Sequence, residues 1–197
     1  MSNTETLPDW RTAKKAATRM RIREAALRLF RDHGYDEVTI EQIAGEAGVT
    51  HTTFFRYFPT KEDVVLSDDY DPLIIDLIRN QPAERAPVAK LCESLLVGLS
   101  QIYAAQKQEL LQQMRLVLGV PALRARLWEN QLGNQQVILD AFDPEEQTFE
   151  LMVVISAVYA ASTTAIITWA SNNGTNELPE LLAQAFAALH NMELYPR

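Results

Sequence analysis

The sequence predicts an all-α protein, with an N-terminal helix-turn-helix head of three helices and a C-terminal helical bundle body. Apolar residues recur at helical spacing along almost the whole chain, and no segment keeps the period-two alternation of a strand. Capping patterns and prolines mark where helices begin and end. The 197 residues suffice for a small head on a larger body, and a hydrophobic content of 47% allows a real core.

The first helix is predicted over residues 10–33. Ile22, Ala26 and Phe30 lie on one face at helical spacing. Gly34 directly follows this pattern, where a glycine commonly ends a helix. We therefore expect one long helix at the front of the head.

Two short helices follow, joined by a tight turn at Gly48. Thr39 and Gln42 form a capping box that opens a helix over residues 40–46. Thr50 caps the next segment, HTTFFRYF, which Pro59 stops. We place the head at residues 1–61, because a fourth helix is expected to open near residue 61.

The body, residues 62–197, is predicted to hold long helices between prolines. The run Asp143-Pro144-Glu145-Glu146 has the pattern of a helix start, and Asn172-Asn173-Gly174 that of a stop. The predicted helices cover residues 62–80, 88–106, 108–119, 122–141, 145–171 and 178–191.

Residues 151–169 are uncharged and long enough to span a bilayer. They nevertheless carry several hydroxyl side chains, and no Lys or Arg lies close to either end as an anchor. We therefore interpret them as the buried middle of a helical bundle rather than a membrane span. The small-residue stripe Ala157, Ala161 and Ala165 is a candidate self-association face, or tight packing within one chain.

Charge is distributed unevenly along the chain, whose net charge is −8. Residues 10–31 hold eight basic side chains and one acid, whereas residues 62–197 hold 8 basic and 18 acidic ones. A basic end on an acidic body indicates local contact with an anion, although a solvated helix face gives the same pattern.

Catalytic and metal sites are not predicted. The single cysteine, Cys92, excludes an intramolecular disulfide. His33, His51 and His190 stand in no metal-ligand or nucleophile spacing, and there is no Gly-rich phosphate loop. We expect neither an enzyme nor a cofactor.

The segment with functional chemistry is the third helix, which begins with Thr50, His51, Thr52 and Thr53. In a helix-turn-helix the start of the second short helix enters the DNA major groove. His51 can donate to a purine N7, Thr52 can contact a thymine methyl, and Phe55 can pack on sugar or methyl groups. The residues predicted to contact phosphates from this segment and its flanks are Thr39, Thr50, Thr53, Tyr57 and Lys61. Each of these side chains taken singly also has a structural explanation.

The run AALRLFRDHGYDEVTIEQIAGEAGVTHTTFFRYFPTKEDVV resembles the DNA-binding head of the TetR family of bacterial regulators, with the match extending from Lys15 to Val65. The resemblance implies base reading by His51, Thr52 and Phe55, and phosphate contacts by the five residues above. Phe55 departs from the tyrosine that many members carry. By the same resemblance, the basic residues before the first helix proper, Arg11, Lys14 and Lys15, are expected to reach the phosphate backbone or the minor groove, as the arms of some members do.

The resemblance also implies a cytoplasmic homodimer on a palindromic operator, joined through the helices near 145–171 and 178–191. It further implies an unknown, largely apolar small-molecule effector that releases the protein from DNA. Aromatic, Met and hydroxyl side chains suit the wall of such a site. The residues predicted to line it are Tyr103, Met114, Arg115, Trp128, Met152, Ser156, Tyr159 and Thr163.

Two alternatives stay open on the sequence alone. The first is a helical protein-binding module that keeps the head as a scaffold, for which we expect no salt-sensitive DNA binding. A sequence-specific DNA-binding protein, in contrast, loses affinity for DNA steeply as the salt concentration rises. Repression and activation are not distinguished by any residue, and repression is the commoner outcome in the family.

Overall fold

The computed structural model describes residues 10–66 and 71–191. Within these ranges the chain forms nine α-helices and no strand, which confirms the predicted all-α class. The helices are α1 (Trp10–His33), α2 (Ile40–Glu46), α3 (His51–Tyr57), α4 (Lys61–Leu66), α5 (Asp71–Arg79), α6 (Pro87–Gly119), α7 (Pro121–Leu139), α8 (Phe149–Ser171) and α9 (Leu178–His190).

The chain divides into two compact units, residues 1–67 and 68–197, which we call the head and the body. The division predicted after residue 61 lies in the first turn of α4, whereas the boundary between these two units follows α4. The whole of α4 belongs to the head because it packs on α1 and buries Val64 and Val65 there completely.

The short helices of the head begin where their caps are placed. Thr39 Oγ1 accepts a hydrogen bond from the Gln42 N–H at 3.3 Å, and the Thr39 N–H donates to Gln42 Oε1 at 2.8 Å. This is the predicted capping box. Gly48 has φ +64° between α2 and α3, a left-handed conformation that glycine adopts without strain. The turn therefore fixes the angle at which α3 leaves α2.

Two features of the body differ from the predicted helix limits. The predicted helix over residues 62–80 covers α4 and α5, and its residues 67–70 lie outside the described residues. The two helices predicted over 88–106 and 108–119 form α6, which is interrupted at Gln106 by non-helical dihedral angles, φ −141° and ψ 39°. The predicted break is thus a local irregularity rather than a loop.

The predicted start of the eighth helix at residue 145 is wrong. Residues 143–147 form hydrogen-bonded turns, and α8 begins at Phe149 after the N-cap Thr148. Thr148 Oγ1 accepts from the Leu151 N–H at 3.2 Å. Glu146 accepts the local bond from the Asp143 N–H at 3.3 Å, and its other carboxylate oxygen binds Lys90 of α6 at 3.1 Å, but the helix begins only at Phe149.

The body core surrounds α8, which packs against α6, α7 and α9. Its fully buried side chains include Leu91 of α6, Leu123 of α7, Trp169 of α8 and Leu182 of α9. Burial of such side chains supplies the main stabilisation of a helical body.

One face of α8 is apolar and exposed, although its opposite face lies in the core. Phe149 is 75% exposed, and Met152 and Val153 are about half exposed. α6 and α8 are both long and apolar enough to cross a membrane, with 39% and 28% of the most apolar window buried. Core helices of soluble bundles share this length and composition, and the exposed face of α8 is also what a second helical partner would cover.

Candidate nucleic-acid interface

The third helix, α3, is held on its inner side by aromatic residues. Phe54 and Phe58 are completely buried, with ring centroids 6.0 Å apart. Ile22 of α1 and Ile43 of α2 are equally buried in the head. Because one side of α3 is buried in this core, the backbone of α3 is held in place and its other side chains extend from the surface of the head.

The three predicted base-reading residues lie together on the exposed side of α3. His51, Thr52 and Phe55 are exposed, and Phe55 leaves 40% of its surface in solvent although it is a large apolar residue. The rings of His51 and Phe55 meet edge to face with centroids 4.8 Å apart. This small surface offers the ring nitrogens, hydroxyl and apolar edge that base contacts use.

His51 also has a partner in α2. Its Nε2 lies 3.2 Å from Glu41 Oε1. The Glu41 backbone N–H and the Thr39 hydroxyl, followed by His51, lower the pKa of Glu41, so that this carboxyl stays ionised. This contact between Glu41 and His51 was not predicted from the sequence.

Thr50 and Thr53 form a hydroxyl pair at the first turn of α3. Thr50 Oγ1 accepts from the Thr53 N–H at 3.1 Å and lies 2.9 Å from Thr53 Oγ1. The pair leaves hydroxyl donor and acceptor capacity at a helix start, where backbone N–H groups also favour an anion.

A basic groove of about 540 Å³ runs between the start of α1 and α3. Five of the predicted phosphate-contacting residues line it, namely Lys14, Lys15, Thr50, Thr53 and Tyr57. Sequence reasoning missed three further polar residues of its wall, Thr18, Arg21 and Arg56. The groove thus combines four cationic side chains with three hydroxyl-bearing residues of α3 or its cap. This combination is suited to the phosphates of a DNA strand.

The remaining predicted phosphate contacts lie elsewhere in the head. Lys61 Nζ donates to the carbonyl oxygens of Tyr35 at 2.9 Å and Val38 at 3.1 Å, and it lies 4.2 Å from the Tyr35 ring centroid. Thr39 serves as the N-cap of α2, and the side chain of Arg11 lies outside the described residues. Lys61 thus joins the α1–α2 connection to α4, and its role at DNA stays a prediction.

The same connection is held by a hydrogen bond from Tyr35 Oη to Glu62 Oε1 of 2.7 Å. Burial, reinforced by Glu62, raises the pKa of Tyr35 well above its ordinary value, so the phenol stays protonated. Tyr57 is fixed from the other side, because Arg19 donates to its carbonyl oxygen at 3.0 Å and stacks on Phe58 at 4.5 Å. These contacts make the frame of the interface rigid.

The eight residues predicted to line an effector site occupy different parts of the body. Tyr103 donates to Glu177 at 2.6 Å and Arg115 to Asn173 at 2.9 Å, both in the segment before α9. Ser156 and Tyr159 hydrogen-bond to Gln135 and Asn134 of α7. Met114 is buried, Thr163 is half-buried, and Trp128 and Met152 are exposed. The set stays a prediction.

A compact helical head with an exposed polar helix beside a basic groove defines a helix-turn-helix protein. Residues 22–67 match the family model described as bacterial regulatory proteins, tetR family, and residues 85–193 match the MftR C-terminal domain. The chain belongs to the TetR family, and its body is of the MftR type. The family consists of regulators rather than enzymes, in agreement with the prediction.

Individual relatives agree with this membership. The transcriptional regulator TcmR of Streptomyces glaucescens is 30% identical over 60% of this chain and 55% of its own length. The putative mycofactocin biosynthesis regulator MftR of Mycobacterium tuberculosis is 24% identical over 64% of each chain. The match therefore spans less than two thirds of either regulator.

Solved structures show the fold over nearly the whole chain. FadR of Thermus thermophilus, a TetR-family transcriptional repressor in complex with lauroyl-CoA, superposes with a TM-score of 0.59 at 28% identity. That similarity covers 91% of this chain and 96% of FadR. A SmeT–triclosan complex gives a TM-score of 0.56 at 21% identity, which bears on the fold alone.

Proposed function

We propose that this protein is a sequence-specific DNA-binding transcriptional regulator, a homodimeric repressor that a small molecule releases from a palindromic operator. The observation that carries the proposal is the exposed group of His51, Thr52 and Phe55 on a helix whose other side is fully buried. A rigid helix with polar and apolar groups at its start is suited to base edges in the major groove.

The basic groove supplies the sequence-independent part of the affinity. Lys14, Lys15, Arg21 and Arg56 form its cationic wall, beside the hydroxyl pair Thr50 and Thr53. Phosphate contacts position a reading helix but carry little sequence information themselves. We therefore expect α3 to specify the sequence and the groove to set the salt dependence.

A second copy of the chain is the partner that we propose for α8 and α9. The exposed apolar end of α8, with Phe149, Met152 and Val153, favours an interface. Exposed small residues continue the surface on both helices, with Ala157 and Ala160 on α8 and Ala183, Ala187 and Ala188 on α9. Small side chains allow helices to approach closely, so these two helices can pack against the same pair in the partner. A dimer of this kind places two reading helices about 34 Å apart, one turn of DNA.

The ligand-responsive part of the proposal rests on family membership and on the architecture of the body. The FadR relative is a repressor in complex with lauroyl-CoA. A ligand that prefers one spacing of the two heads weakens operator binding by its differential affinity for the two states. We propose that the regulator acts in the cytoplasm, where bacterial DNA lies.

Selection of bound duplexes from a random pool tests the DNA proposal directly. We expect a palindrome whose half-sites are about one turn apart. His51→Ala and Thr52→Ala should each relax the preference at one position per half-site, by about 1–3 kcal/mol where a bidentate contact is lost. Enrichment of no sequence, with weak binding at every salt concentration, would favour a protein-binding module.

Arginine variants separate phosphate contacts from reading contacts. Arg21→Ala and Arg56→Ala should weaken all sequences alike and reduce the salt slope by about one per contact. Arg31→Ala is the matched control, because Arg31 is an exposed arginine of the same α1 that pairs with Asp32 outside the groove. Equal losses of DNA affinity in all three variants would show that the basic groove does not contact phosphates.

Sedimentation of substituted proteins tests the dimer. Ala160→Arg places a long cation on the exposed face of α8 and should give a monomer with low operator affinity. Ala125→Arg, at an exposed alanine of α7, should leave the dimer intact. A dimer that survives Ala160→Arg would show that another surface joins the subunits.

A further inference from the structure

The start of α1 carries a large apolar side chain beside the cations of the head. Trp10 is 65% exposed, and it lines the basic groove together with Lys14, Arg21 and Arg56. It is not among the residues that the sequence predicts to contact DNA. Aromatic side chains bury much apolar surface at interfaces, so a molecule that occupies this groove gains affinity by covering Trp10.

Trp10 continues a stripe of groove residues along α1. Trp10, Lys14, Thr18 and Arg21 follow one another at spacings of four, four and three residues, which places them on one face of the helix. All four line the groove. Each residue of a helix adds about 1.5 Å along its axis, so Trp10 lies about 6 Å beyond Lys14. The indole is therefore about one helical turn from a cation that is suited to a phosphate.

Exposure distinguishes Trp10 from the other apolar residues near this groove. Val49 and Tyr57 also line it, but both are half-buried. Phe55 lies on the side of α3 that we propose to contact bases, and Met20 of α1 is exposed but does not line the groove. Trp10 is thus the most exposed apolar surface that the described residues offer to a molecule in the groove.

The charges around Trp10 indicate the kind of molecule that covers it. Lys14, Lys15, Arg21 and Arg56 line the groove, and none of the described residues that line it is an acid. Four cations around an indole favour an anionic partner that also has apolar surface. The backbone of DNA has this character, because deoxyribose rings lie between its successive phosphates.

We propose that Trp10 binds the DNA backbone, with its indole ring against a deoxyribose next to the phosphates that the groove contacts. This contact rests on the proposed function, because it adds a residue to the same interface. It is independent of sequence, since sugar and phosphate are the same at every position. The ring carries no charge, so it adds affinity by apolar burial and leaves the salt dependence to the cations.

Binding of a duplex that carries the selected palindrome, measured over a range of salt concentrations, tests this contact. Trp10→Ala should weaken binding at least about tenfold, as expected for the loss of an aromatic anchor of an interface. The slope against salt should stay that of the unchanged protein, whereas Arg21→Ala reduces it. A duplex of unrelated sequence should lose the same factor, and Trp10→Phe should recover most of the affinity because it keeps a ring.

Met20→Ala is the matched control, because Met20 is an exposed apolar residue of the same helix outside the groove. Its affinity for both duplexes should equal that of the unchanged protein. Thermal unfolding of Trp10→Ala should show an unchanged midpoint, since an exposed side chain contributes little to stability. A loss of binding in Trp10→Ala then reports on the interface rather than on the fold.

Acrylamide quenching measures the cover of the indole directly. The three tryptophans of the chain are Trp10, Trp128 and Trp169, of which Trp169 is completely buried and Trp128 is an exposed residue of α7. In a Trp128→Phe protein the accessible indole is therefore Trp10, and the duplex should protect it from acrylamide. In a Trp10→Phe protein the accessible indole is Trp128, which should stay equally quenchable with and without DNA.

The outcomes separate this contact from the proposed function. If the unchanged protein binds the duplex, but Trp10 stays quenchable and Trp10→Ala binds as tightly, the contact is wrong and the regulator stands. If the unchanged protein binds no duplex at any salt concentration, the regulator is contradicted, and this contact with it. A shift of Trp10→Ala to a smaller sedimenting species would show that a second copy of the chain, rather than DNA, covers the indole.

Discussion

The two short helices α2 and α3 of the head and three helices of the body begin in different ways, whereas α8 of the body has a threonine cap like those of the head. In the head, α2 and α3 have seven residues each, and each opens on a threonine whose hydroxyl accepts a backbone N–H. In the body, α6, α7 and α9 open on a proline within the first two positions, without a side-chain cap. Very short helices depend on caps because they have few internal hydrogen bonds, whereas long helices are held by packing.

The largest expected loss of stability concerns the aromatic core of the head, beneath the exposed side of α3. Phe54→Ala removes a completely buried ring from the head and should lower the free energy of unfolding by about 3–5 kcal/mol. Because the two units have separate cores, operator binding should be lost while much of the helical signal of the body persists. Circular dichroism during thermal unfolding, combined with operator binding, measures both effects.

Phe55→Ala is the natural control for that variant, since Phe55 is a neighbouring phenylalanine that lies on the surface. It should cost less than about 1 kcal/mol of stability while still weakening operator binding. Equal destabilisation by the two substitutions would contradict the division of α3 into a side buried in the head and an exposed side that contacts DNA.

A smaller effect is expected at the caps. Thr50→Ala in the head and Thr148→Ala in the body should each cost about 1 kcal/mol of stability, since each hydroxyl accepts a backbone N–H at a helix start. Pro144→Ala should change stability by less than about 0.5 kcal/mol, because Pro144 precedes α8 and lies in a turn. Chemical denaturation measures the free energy of unfolding of all three variants. A larger loss of stability in Pro144→Ala would support the helix start predicted at residue 145.

The smallest effect is a pH dependence of the body. Hydrogen bonds from Tyr103, and then from Lys107, lower the pKa of Glu177 from its ordinary value of 4.5. A lowered folded-state pKa gives stability that is present above pH 4.5 and is lost as the pH falls through the folded value. Glu177→Gln should therefore flatten the acid limb of a stability profile below pH 4.5. An unchanged acid limb would mean that this exposed cluster is fully screened by solvent.

The fold was predictable wherever the determining contact is local. Thr39 bonds to a residue three positions away, and the predicted limits of α2 agree with the structure. The start of α8 was mispredicted because the chain offers two local start patterns, at Asp143 and at Thr148, and only the second opens the helix; Glu146 also binds Lys90, 56 residues earlier in the chain. Local sequence patterns contain no information on such a partner.

The candidate site follows the same rule. The exposure of His51, Thr52 and Phe55 follows from the helical period of α3, and the sequence revealed it. Arg21 and Arg56 line one groove because α1 lies beside α3. The Lys61 ammonium is placed by the path of the chain near Val38, whose carbonyl oxygen it binds. Side chains of this kind are recognisable as basic in the sequence, but their targets are set by tertiary structure.

The irregular residue Gln106 has a mechanical consequence. Tyr103 and Lys107 lie on either side of it in α6, and both donate to the carboxylate of Glu177, the residue that precedes α9. A helix interrupted in this way consists of two helical segments that meet at one residue. The Glu177 carboxylate bridges them, because it accepts one hydrogen bond from each segment. These two hydrogen bonds therefore link the irregular region of α6 to the start of α9.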